Sequence, residues 1–352
     1  MKKYTNILMG IIILVSSPVF SENNYIGKTA GLQSMCVINA GKKYNVISIP
    51  FIKPSIINGD IDNINIQSKQ LIDNDIEFTS LDAKNDYILL ITSGKRTGAW
   101  YIVSTQKKRQ TIMNSNHYLA VDLSRSSTKD LSNIEPKDSY TIHPLYDLIE
   151  LFPEDGSILP AGDYDYNAGQ IQFLSNSIKT TLWLSTGNIT DQKGWQEISK
   201  NSATNKKVDS FKILPGLAMI IFTPKPEKTV YISLSGEVLD IPLIKPIYPG
   251  KNLVSIEYQT TGEMSYTLDD LNIAQSGFTG ASRIEESDEL KVWDNMQKKY
   301  EGPLWRFKDE TGHTEWVTQN YVSASGLVIN GGSGLLIDNK GLLSFICFKR
   351  SF

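Results

Sequence analysis

The segment Asp163-Tyr164-Asp165-Tyr166-Asn167-Ala168-Gly169 carries oxygen-bearing side chains at alternate positions of a turn-rich stretch. Calcium takes about six to eight hard oxygen ligands, so Asp163, Asp165 and Asn167 form a candidate calcium site. The match to an EF-hand is incomplete, because Leu174 stands where that loop needs a bidentate Glu. The alternative is an Asp/Asn/Gly turn between two strands. Calcium is the one cofactor that the sequence indicates.

No other group of residues has the spacing of a catalytic or zinc site. The three histidines, His117, His143 and His313, stand at no zinc-ligand spacing from another His, Cys or acid. Ser333 lies among glycines but lacks the Gly-x-Ser-x-Gly pattern of a nucleophile elbow. The acidic run at 285–289 is typical of a solvated turn, with paired carboxylates for glycoside cleavage as the alternative. The sequence therefore names no catalytic residue and favours a protein that is not an enzyme.

The aromatic residues raise the question of a ligand-binding surface, since the chain contains 6 Trp and 16 Tyr. Trp100 and Trp293 have no counterpart in the internal repeat described below, and they are the candidate ligand-binding rings. Trp residues at repeated positions are more typical of a core, because aromatic side chains bury large areas. The repeated ones are Trp183 with Trp305 and Trp195 with Trp316.

The two cysteines, Cys36 and Cys347, lie near opposite ends of the chain, each within an apolar, strand-like run. In an oxidising compartment they are candidates for one disulfide that closes a long loop. Two separate buried thiols are the alternative.

The first 21 residues predict the compartment. Lys2 and Lys3 precede the apolar run Ile7–Val15, and small residues precede a cleavage position after Ser21. This order is typical of a secretory signal peptide. The run is shorter than the roughly 20 residues that span a bilayer, so we expect no transmembrane anchor after its removal. The expected location is the periplasm, the cell surface or the medium.

The charge balance of the chain indicates which classes of binding partner to expect. The chain has 35 Lys and Arg against 38 Asp and Glu, a formal net charge of −3. A mildly negative protein lacks the concentrated basic surface that nucleic-acid binding usually needs. We therefore expect no nucleic-acid partner, and polysaccharides or other envelope proteins are the partners that an exported protein of this composition suggests.

Short apolar or alternating runs bounded by Asn, Gly, Asp, Ser and Pro predict an all-β fold. One short helix is expected around Leu145–Phe152, ended by Pro153. The segment Asn45–Phe51 recurs as Asn252–Tyr258, which predicts a duplicated strand. We expect two related β-sandwich or barrel-like modules, the first with an inserted small β domain. The expected boundaries are 1–21 for the signal peptide, 22–54 and 141–240 for the first module, 55–140 for the insertion and 241–352 for the second module.

Several of these short motifs carry a family resemblance. They are Val46-Ile47-Ser48-Ile49-Pro50, Ile91-Thr92-Ser93-Gly94, Trp100-Tyr101-Ile102, Ile142-His143-Pro144, Pro215-Gly216 and Ser235-Gly236-Glu237-Val238. In their order along the chain, they resemble a verrucomicrobial-type family of uncharacterised exported bacterial β proteins with paired Trp/Gly modules. The resemblance implies a secreted or envelope-exposed β protein, and it brings no catalytic residue with it.

The function that these patterns favour is that of an exported, non-enzymatic envelope, surface or secreted protein that acts by binding or assembly. One alternative is a secreted carbohydrate-binding or carbohydrate-processing protein, suggested by the aromatic content. A second is an outer-membrane β-barrel, suggested by the terminal Phe352 and the strand before it. Lys349 and Arg350 interrupt the apolar outward face that such a strand needs.

Overall fold

The structure is a computed structural model, and nearly all of what it describes is β-structure, as the sequence predicts. It describes residues 32–38, 44–49, 51–82, 85–103, 117–198, 205–224, 229–239, 241–256, 265–268, 279–294, 299–330 and 333–346. Within these ranges the one α-helix is α1 (Leu148–Leu151). No helix of the described residues is long and apolar enough to cross a membrane.

The strands fall into three parts, which we name the first module, the insertion and the second module. The first module opens with β1 (Leu32–Ile38) and β2 (Tyr44–Ser48). The insertion contains β3 (Ile57–Asp60), β4 (Asn63–Asn65), β5 (Gln70–Ile72), β6 (Tyr87–Ile91), β7 (Trp100–Val103), β8 (Tyr118–Asp122) and β9 (Ser139–Pro144). The first module resumes with β10 (Tyr146–Asp147), α1, β11 (Gln170–Ser175), β12 (Ile178–Ser185), β13 (Gly194–Glu197), β14 (Lys206–Lys207), β15 (Lys212–Ile213), β16 (Ala218–Phe222) and β17 (Val230–Gly236). The second module contains β18 (Lys245–Ile247), β19 (Gly250–Ser255), β20 (Ser265–Thr267), β21 (Glu289–Asp294), β22 (Lys299–Lys308), β23 (Thr314–Val317), β24 (Val328–Asn330), β25 (Gly334–Asn339) and β26 (Ser344–Ile346).

The main sheets of the two modules have the same order over five strands, and the first sheet has β14 as an additional edge strand. The first runs β14-β13-β12-β11-β16-β2, and the second runs β23-β22-β21-β25-β19. Asn45 pairs with Ile221 in the first sheet, as Asn252 pairs with Ile337 in the second. Asn45 on β2 and Asn252 on β19 therefore hold equivalent register positions in the two sheets. All of these pairings are antiparallel, so side chains alternate between the two faces of each sheet.

The insertion is a single seven-stranded sheet with the order β3-β9-β6-β7-β8-β5-β4. Its two central strands are buried on both faces. Leu89 and Tyr101 lie in the core of the insertion, whereas their neighbours Ile88 and Trp100 pack against residues outside it, such as Leu243. Burial on both faces explains why β6 and β7 read as continuous apolar runs rather than as alternating ones.

The first and second modules pack directly against each other. Val46 and Ala218 of the first module share a small core with Leu253 and Trp293 of the second. Gly334 lies within this contact, where a Cβ atom on it would come 2.6 Å from Val46 Cγ1. The two sheets therefore approach at a point where the smallest residue is required.

The hairpin between β11 and β12 also reaches the second module. Its turn residues, Asn176 and Ser177, have φ values of 52° and 56°, as a type I′ turn requires. Ser177 N donates to Lys251 O at 2.9 Å, and Lys251 N donates to Ser177 Oγ at 2.9 Å. These two bonds hold the hairpin against the start of β19, and the hairpin thereby becomes a wall of the cleft described next.

Candidate functional site

A cleft of about 400 Å³ opens where the insertion and the two modules meet. Each of the three parts supplies one side of it, so the cleft exists only in the assembled chain. From the insertion come Trp100, Ser124 and Arg125; from the first module Phe173, Ser175, Asn176, Ile178, Thr180, Phe211, Leu214, Pro215, Gly216 and Leu217; from the second Lys245, Pro246, Tyr248 and Val254.

Trp100 forms the side supplied by the insertion. Its ring is almost fully buried, and its Nε1 donates to Ile244 O at 2.9 Å. Ile244 N in turn donates to Gly98 O at 2.9 Å. Gly98 has a φ of 88°, and a side chain there would collide with Pro242 O. This contact fixes the β6–β7 hairpin against the segment that leads into β18.

Lys245 and Gly216 form the floor between the modules. Lys245 is buried, and its Nζ donates to Ser255 O. Its aliphatic chain crosses Gly216, where a Cβ atom would lie 2.8 Å from both Lys245 Cγ and Cδ. Gly216 has a φ of 82° and accepts a hydrogen bond from Ser255 N at 2.9 Å. The Pro215-Gly216 turn that the sequence indicates is therefore a contact point with the second module.

Tyr248 forms the side supplied by the second module, and Asn252 holds the turn that carries it. The buried Asn252 donates from Nδ2 to Tyr248 O at 2.6 Å and to Gly250 O at 2.8 Å. Its Oδ1 accepts from Tyr248 N and from Asn176 N, each at 3.2 Å. Lys129 of the insertion donates from Nζ to Tyr248 OH at 3.3 Å, and this Nζ lies 5.5 Å from the ring centroid. One buried amide thus joins two walls of the cleft.

The remaining wall is apolar. The rings of Phe173 and Phe211 stack with their centroids 4.8 Å apart. Ile178 lies at the mouth and is 65% exposed. Ligand pockets are typically concave and lined mainly by apolar and aromatic side chains.

The charged side chains that line the cleft are cationic. Arg125 and Lys245 line the cleft, whereas no Asp or Glu is among the described residues that line it. Sequence reasoning identified Trp100 but missed Arg125, Phe211, Lys245 and Tyr248. These residues come from segments far apart in the chain, and no local motif connects them.

Trp293, the second predicted ring, lies elsewhere. It is buried in the contact between the modules and meets Tyr300 edge to face, with ring centroids 5.0 Å apart. Burial raises the pKa of Tyr300 to about 12. Neither Trp100 nor Trp293 is an exposed platform, and only Trp100 reaches the cleft. A ligand-binding role for either ring stays a prediction.

The four repeated Trp residues differ slightly in burial. Trp183, Trp195 and Trp316 are buried, whereas Trp305 is partly exposed. Trp195 donates from Nε1 to Phe152 O at 2.9 Å, which ties β13 to the end of α1.

The candidate calcium residues lie around a short 3₁₀ turn, Asp165–Asn167, that precedes β11. Asn167 Oδ1 accepts from Tyr164 N at 3.0 Å. Asp163 Oδ1 accepts from Thr186 Oγ1 at 2.5 Å and from Asn188 Nδ2 at 2.9 Å. No three His, Cys, Asp or Glu side chains in the described part of the chain are grouped to hold a metal ion. Calcium binding at Asp163, Asp165 and Asn167 therefore stays a prediction.

The same loop presents an exposed aromatic pair. Tyr164 and Tyr166 are 46% and 67% exposed. Their rings stack with centroids 5.3 Å apart and planes 11° from parallel. The sequence analysis names tryptophans, and not these tyrosines, as candidate ligand-binding rings.

Two buried titratable side chains, those of Asp288 and His143, form hydrogen bonds that connect parts of the fold. Asp288, in the acidic run before β21, accepts at 2.6 Å from Thr279 N and at 2.6 Å from Lys340 N, and its burial raises its pKa. His143 on β9 bonds Lys53 O through Nδ1 and Thr141 Oγ1 through Nε2, both at 2.7 Å. Both groups connect separate segments of backbone.

The remaining sequence predictions lie outside the described residues. These include the signal peptide at 1–21 and Cys347. Cys36 lies on β1, of which the backbone is described. The Cys36–Cys347 disulfide thus stays a prediction.

Comparison with protein-family models, with curated proteins and with solved structures finds no match in any of the three. The resemblance to a verrucomicrobial-type family of exported β proteins accordingly stays a prediction.

Proposed function

We propose that this chain is an exported, non-enzymatic protein that acts by binding, at the cell envelope, on the cell surface or outside the cell. The observation that carries the proposal is the cleft of about 400 Å³ between the insertion and the two modules. Ligand sites are typically concave, largely apolar and about 300–1,000 Å³ in volume, and they favour the junctions between domains.

Export is supported by the pattern of the first 21 residues, in which two lysines precede a short apolar run. In an oxidising compartment Cys36 and Cys347 would be free to pair, and we include that disulfide in the proposal. Protease treatment of intact cells, with fractionation of cells and medium, tests the location of a tagged protein. Recovery from the cytoplasm with residues 1–21 still attached would contradict export.

The matching strand orders support a further part of the proposal, namely that the two modules arose by duplication. In this account the insertion entered the first module only, and the cleft arose where it met the second. Assembly with other envelope proteins or polysaccharides would then use the surface around this junction.

A ligand screen with two matched variants tests the binding proposal. Ile178→Glu places a charge at the mouth of the cleft, whereas Ile66→Glu changes an isoleucine of the insertion that does not line it. The two side chains are 65% and 63% exposed, so neither change should unfold the chain. We expect ligands found by native mass spectrometry to be lost with Ile178→Glu and kept with Ile66→Glu. Equal binding by both variants would place the ligands elsewhere and reject the cleft.

A carbohydrate-binding protein is the second candidate, favoured by the exposed stacked pair Tyr164 and Tyr166. Asp163 and Asn188 next to it supply polar groups for sugar hydroxyls. We expect replacement of both tyrosines by Ala to abolish retention on a polysaccharide matrix, and Tyr118→Ala, at an exposed tyrosine of β8, to leave it unchanged. Retention that is the same in all three proteins would reject this candidate.

A further inference from the structure

The cleft combines an apolar interior with a positively charged rim. Phe173, Phe211, Leu214 and Val254 supply apolar surface over which a chain of methylene groups would lose water, which favours binding. A volume of about 400 Å³ suits one small molecule rather than a folded partner. The apolar lining alone would accept many hydrophobic compounds, so the charges decide the class of ligand.

The charges around the cleft are predominantly positive. Arg125 is exposed at the rim, and no ion pair joins it to another described residue. Lys129 lies behind this side of the cleft, where its Nζ donates to Ser124 O at 2.6 Å and to Tyr248 OH at 3.3 Å. Asp122 is a nearby acid, and its Oδ1 accepts from Ser124 N at 2.9 Å and from Ser124 Oγ at 2.7 Å. An anionic group at the mouth would therefore meet Arg125, whose guanidinium is suited to bidentate recognition.

We propose that the cleft binds a fatty-acid-like carboxylate, with the apolar chain between the two modules and the insertion and the carboxylate at Arg125. This inference rests on the proposed function, because it assumes that the cleft is a ligand site. A cationic amphiphile would be repelled at the rim, and a neutral one would leave Arg125 without an anionic partner.

Three ligands with the same alkyl tail and different head groups test which class of ligand the cleft binds. Dodecanoate, dodecan-1-ol and dodecylamine are titrated separately into the purified protein by calorimetry, below the concentrations at which they aggregate. We expect dodecanoate to bind about tenfold more tightly than the alcohol, because only the carboxylate forms charge-assisted hydrogen bonds with Arg125, and a tenfold difference corresponds to about 1.4 kcal/mol. We expect dodecylamine to bind most weakly. Equal affinity for all three ligands would overturn the proposed role of charge.

Variants locate the carboxylate and the chain. Arg125→Ala should weaken dodecanoate binding about tenfold and leave the alcohol unchanged, because only the charge-assisted bond is removed. Arg125→Lys should recover part of the loss. Arg283→Ala is the matched control, since that side chain is 76% exposed in the second module and makes one long contact, 3.9 Å, with Glu286. Ile178→Glu should abolish dodecanoate binding, and Ile66→Glu should not.

The outcomes separate this inference from the proposed function. If dodecanoate fails to bind but other compounds bind in a way that Ile178→Glu abolishes, the ligand class is wrong and the cleft remains a ligand site. If Arg125→Ala and Arg283→Ala bind dodecanoate equally, the carboxylate does not lie at Arg125. If no compound of any class binds in a manner sensitive to Ile178→Glu, both proposals fail.

Discussion

Gly334 of the second module faces Val46 of the first so closely that a Cβ atom on Gly334 would stand 2.6 Å from Val46 Cγ1. By register Gly334 holds the place in the second sheet that Ala218 holds in the first, because Ser255 pairs with Gly334 as Ser48 pairs with Ala218. The same strand position thus carries Ala in one module and Gly in the other. The sheet contact explains the difference, since Gly334 has no room for a methyl group.

Gly334→Ala is therefore expected to lower the free energy of unfolding by about 1–3 kcal/mol, the usual range for overpacking a core. Chemical denaturation measures this change in the free energy of unfolding. Gly326→Ala is the matched control, since a Cβ atom there would meet nothing within 4 Å. Adding Val46→Ala to Gly334→Ala should recover part of the loss. Equal stability of Gly334→Ala and Gly326→Ala would show that the sheets do not meet at this point.

The carboxylate of Asp147 links β10, α1 and β15. Its Oδ2 accepts from Lys212 Nζ at 2.7 Å and from Ser210 Oγ at 2.6 Å, and its Oδ1 accepts from Ile149 N at 3.1 Å. Burial alone would raise the pKa of Asp147, but the hydrogen bonds from Lys212, Ser210 and Ile149 together outweigh it, so the pKa is lowered from 3.8. Asp147→Asn is expected to destabilise the protein at pH 7 by roughly 1–3 kcal/mol, since it breaks a partly buried ion pair and weakens a helix cap.

The difference between wild type and Asp147→Asn should depend on pH with a definite sign. A carboxyl with a lowered pKa in the folded state stabilises the protein above its unfolded pKa of about 3.9, and the contribution is lost as pH falls through the folded pKa. Urea unfolding from pH 7 to pH 2 should therefore show the gap closing below about pH 4. Asp209→Asn, in an exposed pair with Lys207, should show a small gap throughout. A gap that stays constant down to pH 2 would contradict this account.

Asn252 couples the turn at Tyr248 to the β11–β12 hairpin through four hydrogen bonds. Asn252→Ala leaves buried backbone groups of both segments without their partner, so we expect a loss of about 2–3 kcal/mol in unfolding free energy. Because Tyr248 lines the cleft, ligand affinity should fall as well. Asn74→Ala, at an exposed asparagine of the insertion, should change neither by more than about 0.5 kcal/mol. Loss of stability with unchanged affinity would remove Tyr248 from the binding site.

Two substitutions distinguish the tryptophans that the sequence singled out. Trp100→Phe removes the Nε1 bond to Ile244 O and alters the cleft, so both stability, by about 1 kcal/mol, and ligand affinity should fall. Trp293→Phe alters only the contact between the modules, so stability should fall and affinity should not. Calorimetric titration and thermal unfolding of both variants provide the comparison. Reduced ligand affinity in Trp293→Phe but not in Trp100→Phe would place Trp293, and not Trp100, at the ligand site.

Local patterns in the sequence predicted the elements well. Two glycines and two cations between Ser93 and Gly98 favour a hairpin loop, and the structure has this loop between β6 and β7, with φ values of 76° at Gly94 and 88° at Gly98. The short helix before Pro153 is confirmed as α1. Such features depend on a few neighbouring residues, since turn chemistry and side-chain period are local properties of the chain.

The sequence by itself determined the all-β class and the place of the single described helix, because strand period and turn chemistry depend on consecutive residues. Only the tertiary structure decided which apolar residues meet. Trp100 and Trp293 look alike in sequence, yet one lines the cleft and the other is enclosed between two sheets. The cleft joins Arg125, Phe211 and Tyr248 across three separate parts of the chain. Hydrophobic burial is non-directional, so which distant segments share a surface depends on packing of the whole fold.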